Sequence, residues 1–200
     1  DNANVGMRCC IFGGICLRAY SAFILFQKGR RFLNNVRKLC TAGILTALGV
    51  VCSAFYIPVG AAKCFPVQHM VNVIAGVLLG PLYAVMMAFV TSLIRVLSGT
   101  GSLLAFPGSM IGAFCCGLLY KQTKKLLFAY LGEVVGTGII GAVAAYPVAA
   151  FWMGREAALF AYVIPFVLSS AGGAAISALA IGALQKTHVL GGVKHGLDGK

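Results

Sequence analysis

Between residues 39 and 187 the chain alternates apolar runs with short polar or turn-forming breaks, and that alternation predicts a series of membrane helices. Leu39–Pro58 is about twenty residues long, the length needed to cross a hydrocarbon core of roughly 30 Å. Val67–Gly80 is equally apolar but covers only about fourteen residues, or roughly 21 Å of helix. Gly80-Pro81 marks a tight turn, with Pro81 suited to the first position of the next helix, Pro81–Ser98. Gly99–Pro107 is rich in turn residues. The apolar run Gly108–Tyr120 is again short, about thirteen residues, and stops at the basic stretch Lys121–Lys125. A fifth span is predicted from Leu126 to about Tyr146, and Pro147–Glu156 is read as a connection with Trp152 at the interface. A sixth, from about Ala157 to Leu184, is long enough to tilt or to bend at Pro165.

The two short segments form a weak internal repeat. Each follows a Phe-Pro pair, Phe65-Pro66 and Phe106-Pro107, and each has a glycine eleven residues after that phenylalanine, Gly76 and Gly117. A helix too short to span starts below the membrane surface, so its preceding loop dips inward. Non-helical backbone is tolerated at that depth only where protein or a wet cavity surrounds it. Paired short hydrophobic segments of this kind point to a transporter's binding site. The expected architecture is therefore an all-α integral membrane protein, a six-helix bundle with two short helices preceded by dipping outer loops. The membrane domain covers residues 36–187. Residues 1–35 read as an N-terminal extension, either a non-native start or a peripheral segment, and residues 188–200 as a flexible tail.

Composition agrees with the pattern: 60% of the residues are hydrophobic and only 10% charged, against about 25% charged in a soluble domain. The formal charge of +12 does not read as a nucleic-acid surface, because the cations gather at the ends of apolar runs and no basic face interleaves with aromatics. With six spans, Arg37, Lys38, Lys121, Lys124, Lys125 and Lys186 fall on one side, which the positive-inside rule makes cytoplasmic. Both termini are then cytoplasmic in a multi-pass protein of the cell membrane. The eight cysteines lack C-x-x-C spacing and have no histidine at ligand distance in sequence, so they read as small buried residues. No metal or cofactor is expected.

Candidate chemistry concentrates in Ala61–Asn72. Gln68 and Asn72 are i, i+4 neighbours with His69 beside them, a set able to donate to and accept from a heterocycle. The alternative is that they satisfy the free backbone groups of the dipping loops, and the sequence leaves both open. Lys63 is solvated, paired with a lipid phosphate, or a ligand contact. Arg95 is an intramembrane cation, a functional candidate by default, unless it snorkels outward. Phe65, Phe106 and Tyr146 are candidate ring contacts and Ser109 a candidate hydrogen-bonding group. Ser109 has no evident base for nucleophilic chemistry. Glu133, in a run of small residues, is either a protonated or helix-bonded group or a contact for a cytoplasmic partner, with the outward pocket the weaker reading. Gly43-x-x-x-Ala47 and Gly49-x-x-x-Ser53 are small-residue stripes that permit close helix approach, inside the bundle or against another protein. No phosphate-cradling Gly-Lys-Ser/Thr loop is present, so energy for uphill transport has to come from elsewhere.

Several of these stretches together resemble the ThiW family: Arg37–Gly60, Lys63–Asn72 (Lys-Cys-Phe-Pro-Val-Gln-His-Met-Val-Asn), Gly76–Pro81, Gly99–Met110, Gly132–Gly141 and Ala145–Pro147. These are substrate-binding S components of energy-coupling factor (ECF) transporters, and the similarity covers about residues 36–187. The resemblance implies a six-helix S component that captures hydroxyethylthiazole, the thiazole precursor of thiamine. It also implies a transmembrane coupling protein and two cytoplasmic ATPases as partners, with Gly43 and Ala47 on the face toward the coupling protein. The alternatives from other classes are a stand-alone facilitator or channel and an intramembrane enzyme.

Overall fold

The computed structural model describes residues 34–59, 62–152, 154, 162–187 and 197. The extension and the tail expected at the two ends lie almost wholly outside them. The described residues form helix α1 (Asn34–Ala54), which closes in a 3-10 turn at Cys52–Ala54. A small hairpin of β1 (Ile57–Val59) and β2 (Ala62–Cys64) follows. Next come helices α2 (Pro66–Leu78), α3 (Pro81–Leu97) and α4 (Ala105–Thr123). Helix α5 is continuous over Leu126–Trp152, and α6 covers Val163–Lys186. Among the described residues, α1, α5 and α6 are long and apolar enough to cross a membrane, and α2 and α3 are apolar but shorter.

The distribution of side chains is that of a protein solvated by lipid. Ile44 and Val51 of α1, Leu82 of α3, Leu127 of α5 and Leu179 of α6 are exposed, whereas Asn72, Ser92, Arg95, Glu133, Ser170 and Ser177 are buried. Apolar residues outside cost nothing in hydrocarbon, and polar ones inside satisfy one another there.

Helix α2 is the centre of the bundle, packed against α4 on one side and α6 on the other. Glycines permit that approach. A Cβ on Gly76 would lie 3.1 Å from the backbone nitrogen of Gly117, and one on Gly117 only 2.6 Å from the Cα of Pro81. Of the two glycines of the weak repeat, Gly76 thus seats α2 on Gly117 of α4, and Gly117 seats α4 on the start of α3. On the α6 side, a Cβ on Gly173 would meet the Pro66 carbonyl and the His69 Cβ, each at 2.5 Å.

Helix α2 has the short length expected from the sequence, 13 residues with Pro66 at its first position. Three other expectations are corrected, all at prolines. Helix α4 is 19 residues long rather than about thirteen, because it begins at Ala105 and takes Pro107 into its first turn. A proline there costs no hydrogen bond, since first-turn N–H groups have no helical partner. Pro165 likewise lies in the first turn of α6 and introduces no bend into its body. Pro147 does not end α5, which continues to Trp152. It closes an α-helical turn, Ala142–Pro147, and a π-helical turn, Val148–Trp152, follows. The altered hydrogen-bond ladder accommodates the bond that proline cannot make. A second π-helical turn occupies Gly136–Gly141, where three glycines weaken the helical preference. The outer loop that precedes α2 contains the hairpin, with Ile57 opposite Cys64 and Pro58 opposite Lys63.

Candidate functional site

The hairpin leads into α2 through Phe65, and α6 holds this junction. The Cys64 thiol donates to the Pro165 carbonyl (3.3 Å), and the Phe65 N–H donates to Ser169 Oγ (2.8 Å). Opposite it, the turn after α3 folds back over that helix's end: the N–H groups of Thr100 and Gly101 both donate to the Arg95 carbonyl. The Thr100 hydroxyl accepts a bond of 3.2 Å from Ser53 of α1, tying this turn to the first helix. Between the two lies a cavity of about 480 Å³, within the usual range for small-molecule pockets.

The cavity wall combines rings, hydrogen-bonding groups and cations. Phe65, Tyr162 and Phe166 contribute rings, Gln68, His69, Ser109 and Ser169 contribute polar groups, and Lys63 and Arg95 contribute positive charge. Among the described residues, no aspartate or glutamate lines the cavity. Lys63 is an exposed rim residue with its Nζ 4.4 Å from the Tyr56 ring centroid. Arg95 does not snorkel: its exposure is 0%, and its Cζ lies 3.9 Å from the centroid of the Phe65 ring.

Beneath the cavity is a buried polar cluster built from four helices. Glu133 Oε1 is approached by His69 Nδ1 at 2.8 Å, Asn72 Nδ2 at 3.1 Å and Thr137 Oγ1 at 3.2 Å. All three can donate, which suits a carboxylate acceptor. Asn72 Nδ2 also lies 3.3 Å from the Ser109 carbonyl. The Ser109 hydroxyl donates to the Ala105 carbonyl (2.7 Å) and is 3.0 Å from Ser92 Oγ, which in turn accepts from Gln68 Nε2 at 3.4 Å. The cluster thereby fixes the rotamers of Gln68, His69 and Ser109 at the cavity floor. Gly112 makes room for it. A Cβ there would collide with the Thr137 hydroxyl and lie 3.1 Å from the Glu133 carboxyl.

The sequence candidates divide accordingly. Lys63, Phe65, Gln68, His69, Arg95 and Ser109 come together on the cavity wall, and Asn72 lies just below them in the cluster. Phe106 does not join them. Its ring meets Phe89 of α3 at 5.5 Å, because α4 starts before this residue and turns it toward α3. Tyr146 is not among the lining residues either, since α5 continues past it as helix. Glu133 has 0% exposure and is therefore no surface contact for a partner. The short α2 brings its first, polar turn down to the level of Glu133 in α5. The two stripes of α1 separate as well: Gly49 packs on Thr91 of α3, while Gly43 has nothing near it among the described residues and Ala47 is exposed.

Ser92, Thr137, Tyr162, Phe166 and Ser169 are site residues the sequence reading passed over. Helical spacing carries a signal for some of them. Ser92 precedes Arg95 by three residues, Thr137 follows Glu133 by four, and Tyr162 and Phe166 are four apart, so each pair shares a face.

A family model, described as thiamine-precursor transporter protein (ThiW), matches residues 39–187. No curated protein and no solved structure matches the chain.

Proposed function

This chain belongs to the ThiW family of thiamine-precursor transporters, a membrane family, and from that premise we propose that it is the substrate-capturing S component of an ECF-type importer for hydroxyethylthiazole. The observation that carries the reading is the cavity. It offers rings to stack on an aromatic heterocycle, amide, imidazole and hydroxyl groups for a ring nitrogen and an alcohol, and, among the described residues, no carboxylate. Thiamine itself carries a cationic thiazolium, which a wall bearing Lys63 and Arg95 disfavours by like-charge repulsion. A neutral thiazole meets no such penalty.

In this mechanism the ring enters from outside and lies among Phe65, Tyr162 and Phe166, where stacking and burial hold it. Gln68, His69 and Ser109 are pre-oriented by the Glu133 cluster, so little side-chain entropy is lost when they bond the ligand. The hairpin and the turn after α3 form the outer walls and close over it. The six-helix bundle sits in the membrane with both termini in the cytoplasm. The open Gly43–Ala47 face of α1 meets a transmembrane coupling protein, and two cytoplasmic ATPases supply the energy as the loaded subunit topples.

Binding of labelled hydroxyethylthiazole to the purified protein tests this, with thiamine and its pyrimidine precursor as competitors. Saturable binding that neither competitor displaces is expected. Absence of saturable binding by protein with an intact melting transition would falsify the substrate assignment.

A further inference from the structure

Arg95 lacks what a buried guanidinium requires. Nε, Nη1 and Nη2 are all out of contact with solvent, and none has a hydrogen-bond partner among the described residues. Buried charges are ordinarily paired and hydrogen-bonded. The buried carboxylate of Glu133 does not pair with it: Oε1 is engaged by His69, Asn72 and Thr137, and Oε2 has no partner among the described residues. Phe65 covers one face of the guanidinium, which leaves its N–H edges to find acceptors elsewhere. The residue lines the cavity, and Lys63 stands on the same wall. A planar fork of donors is matched best by two oxygens of one oxyanion, which it binds bidentately.

We propose that the preferred ligand is an acidic thiazole, a small aromatic heterocycle carrying an oxyanion that docks on Arg95. This rests on the thiazole reading above and deepens it: the ring occupies the aromatic part of the cavity, and the oxyanion takes the place of the arginine's missing partner. A phosphate monoester of the hydroxyethyl arm and a carboxylate on the ring share this chemistry.

The test is a titration of the purified protein with four ligands: hydroxyethylthiazole, its phosphate monoester, 4-methylthiazole-5-carboxylate, and inorganic phosphate. Wild type, Arg95→Gln and Arg95→Lys are compared, with melting curves to check the fold. One acidic thiazole is expected to bind at least about tenfold tighter than the alcohol, and which one it is distinguishes phosphate from carboxylate. Arg95→Gln should erase that preference, and Arg95→Lys should retain part of it as a point charge. If the alcohol binds and both acids bind no better, the inference is overturned and the thiazole reading stands. If an acid binds and the alcohol does not, the inference stands and the alcohol is the wrong substrate. Inorganic phosphate binding as tightly as the better acid, or no thiazole binding to folded protein, overturns it. Should Arg95→Gln fail to fold, the wild-type ratio of acid to alcohol and the Arg95→Lys variant decide.

Discussion

Arg95 and Glu133 are both completely buried, and the protein treats them in opposite ways. Glu133 receives three donors from α2 and its own helix on Oε1, its Oε2 having no partner among the described residues, and it lies under the cavity, away from its wall. Arg95 donates no side-chain hydrogen bond among the described residues and lies on the wall itself. The difference separates two uses of a charge in a membrane interior. One organises the helices around it, and the other is held available, so removing the first should cost stability and removing the second should cost binding.

The largest expected effect is on the organising charge. Glu133→Ala leaves buried donors on His69, Asn72 and Thr137 without their acceptor. It should cost about 3–5 kcal/mol, the scale for breaking a buried pair, seen as a sharply lowered melting temperature in detergent. Arg95→Gln should leave the melting temperature unchanged or raised, because it removes an unpaired buried charge. A large loss of stability there would erase the contrast. Gly112→Ala inserts a methyl group between the helices where Glu133 and Thr137 sit. It should destabilise by about 1–3 kcal/mol as overpacking, measured by the same melting curves.

Smaller effects concern the cavity and the outer face. Gln68→Ala and His69→Ala should each weaken thiazole binding by about 1–3 kcal/mol through a lost buried hydrogen bond. Tyr146→Ala, off the cavity wall, should change affinity by less than about 0.5 kcal/mol, and titration calorimetry distinguishes the two outcomes. Smallest in the isolated protein is Gly43→Leu, at an open position of α1. Binding and melting should stay within about 0.5 kcal/mol of wild type, while uptake by cells carrying the full transporter falls. Unimpaired uptake would remove this face from the coupling interface.

The contrast between the two charges was only half legible in the sequence. Hydropathy placed α2 and α3 well, because Pro66 and Gly80-Pro81 punctuate them and leave α2 visibly short. The polar start of α2 stood out for the same reason, and it does form the cavity floor. Prolines misled where they fell within helices. Pro107 and Pro147 looked like boundaries, yet one sits in a first turn and the other beside a π-helical turn, neither of which needs the missing N–H. That displaced Phe106 and Tyr146 from the site expected for them. For Glu133 the sequence left several roles open, and the helix-bonded one is what the structure shows. Its level relative to α2 depends on how the short helix seats between α4 and α6, a tertiary fact carried by Gly76, Gly117 and Gly173. The packing role of Gly49 against the openness of Gly43 was equally invisible, since both stripes have the same spacing and only the neighbouring helix tells them apart.

The most direct test of the central claim, that this cavity is a thiazole site floored by the Glu133 cluster, is equilibrium binding of labelled hydroxyethylthiazole to the purified protein and to its Gln68→Ala variant. The account predicts saturable binding, undisplaced by thiamine or the pyrimidine precursor, that weakens about tenfold or more in the variant while the melting temperature holds. Binding of equal strength in both proteins would place the ligand elsewhere. No saturable binding in a folded wild-type protein would contradict the substrate itself.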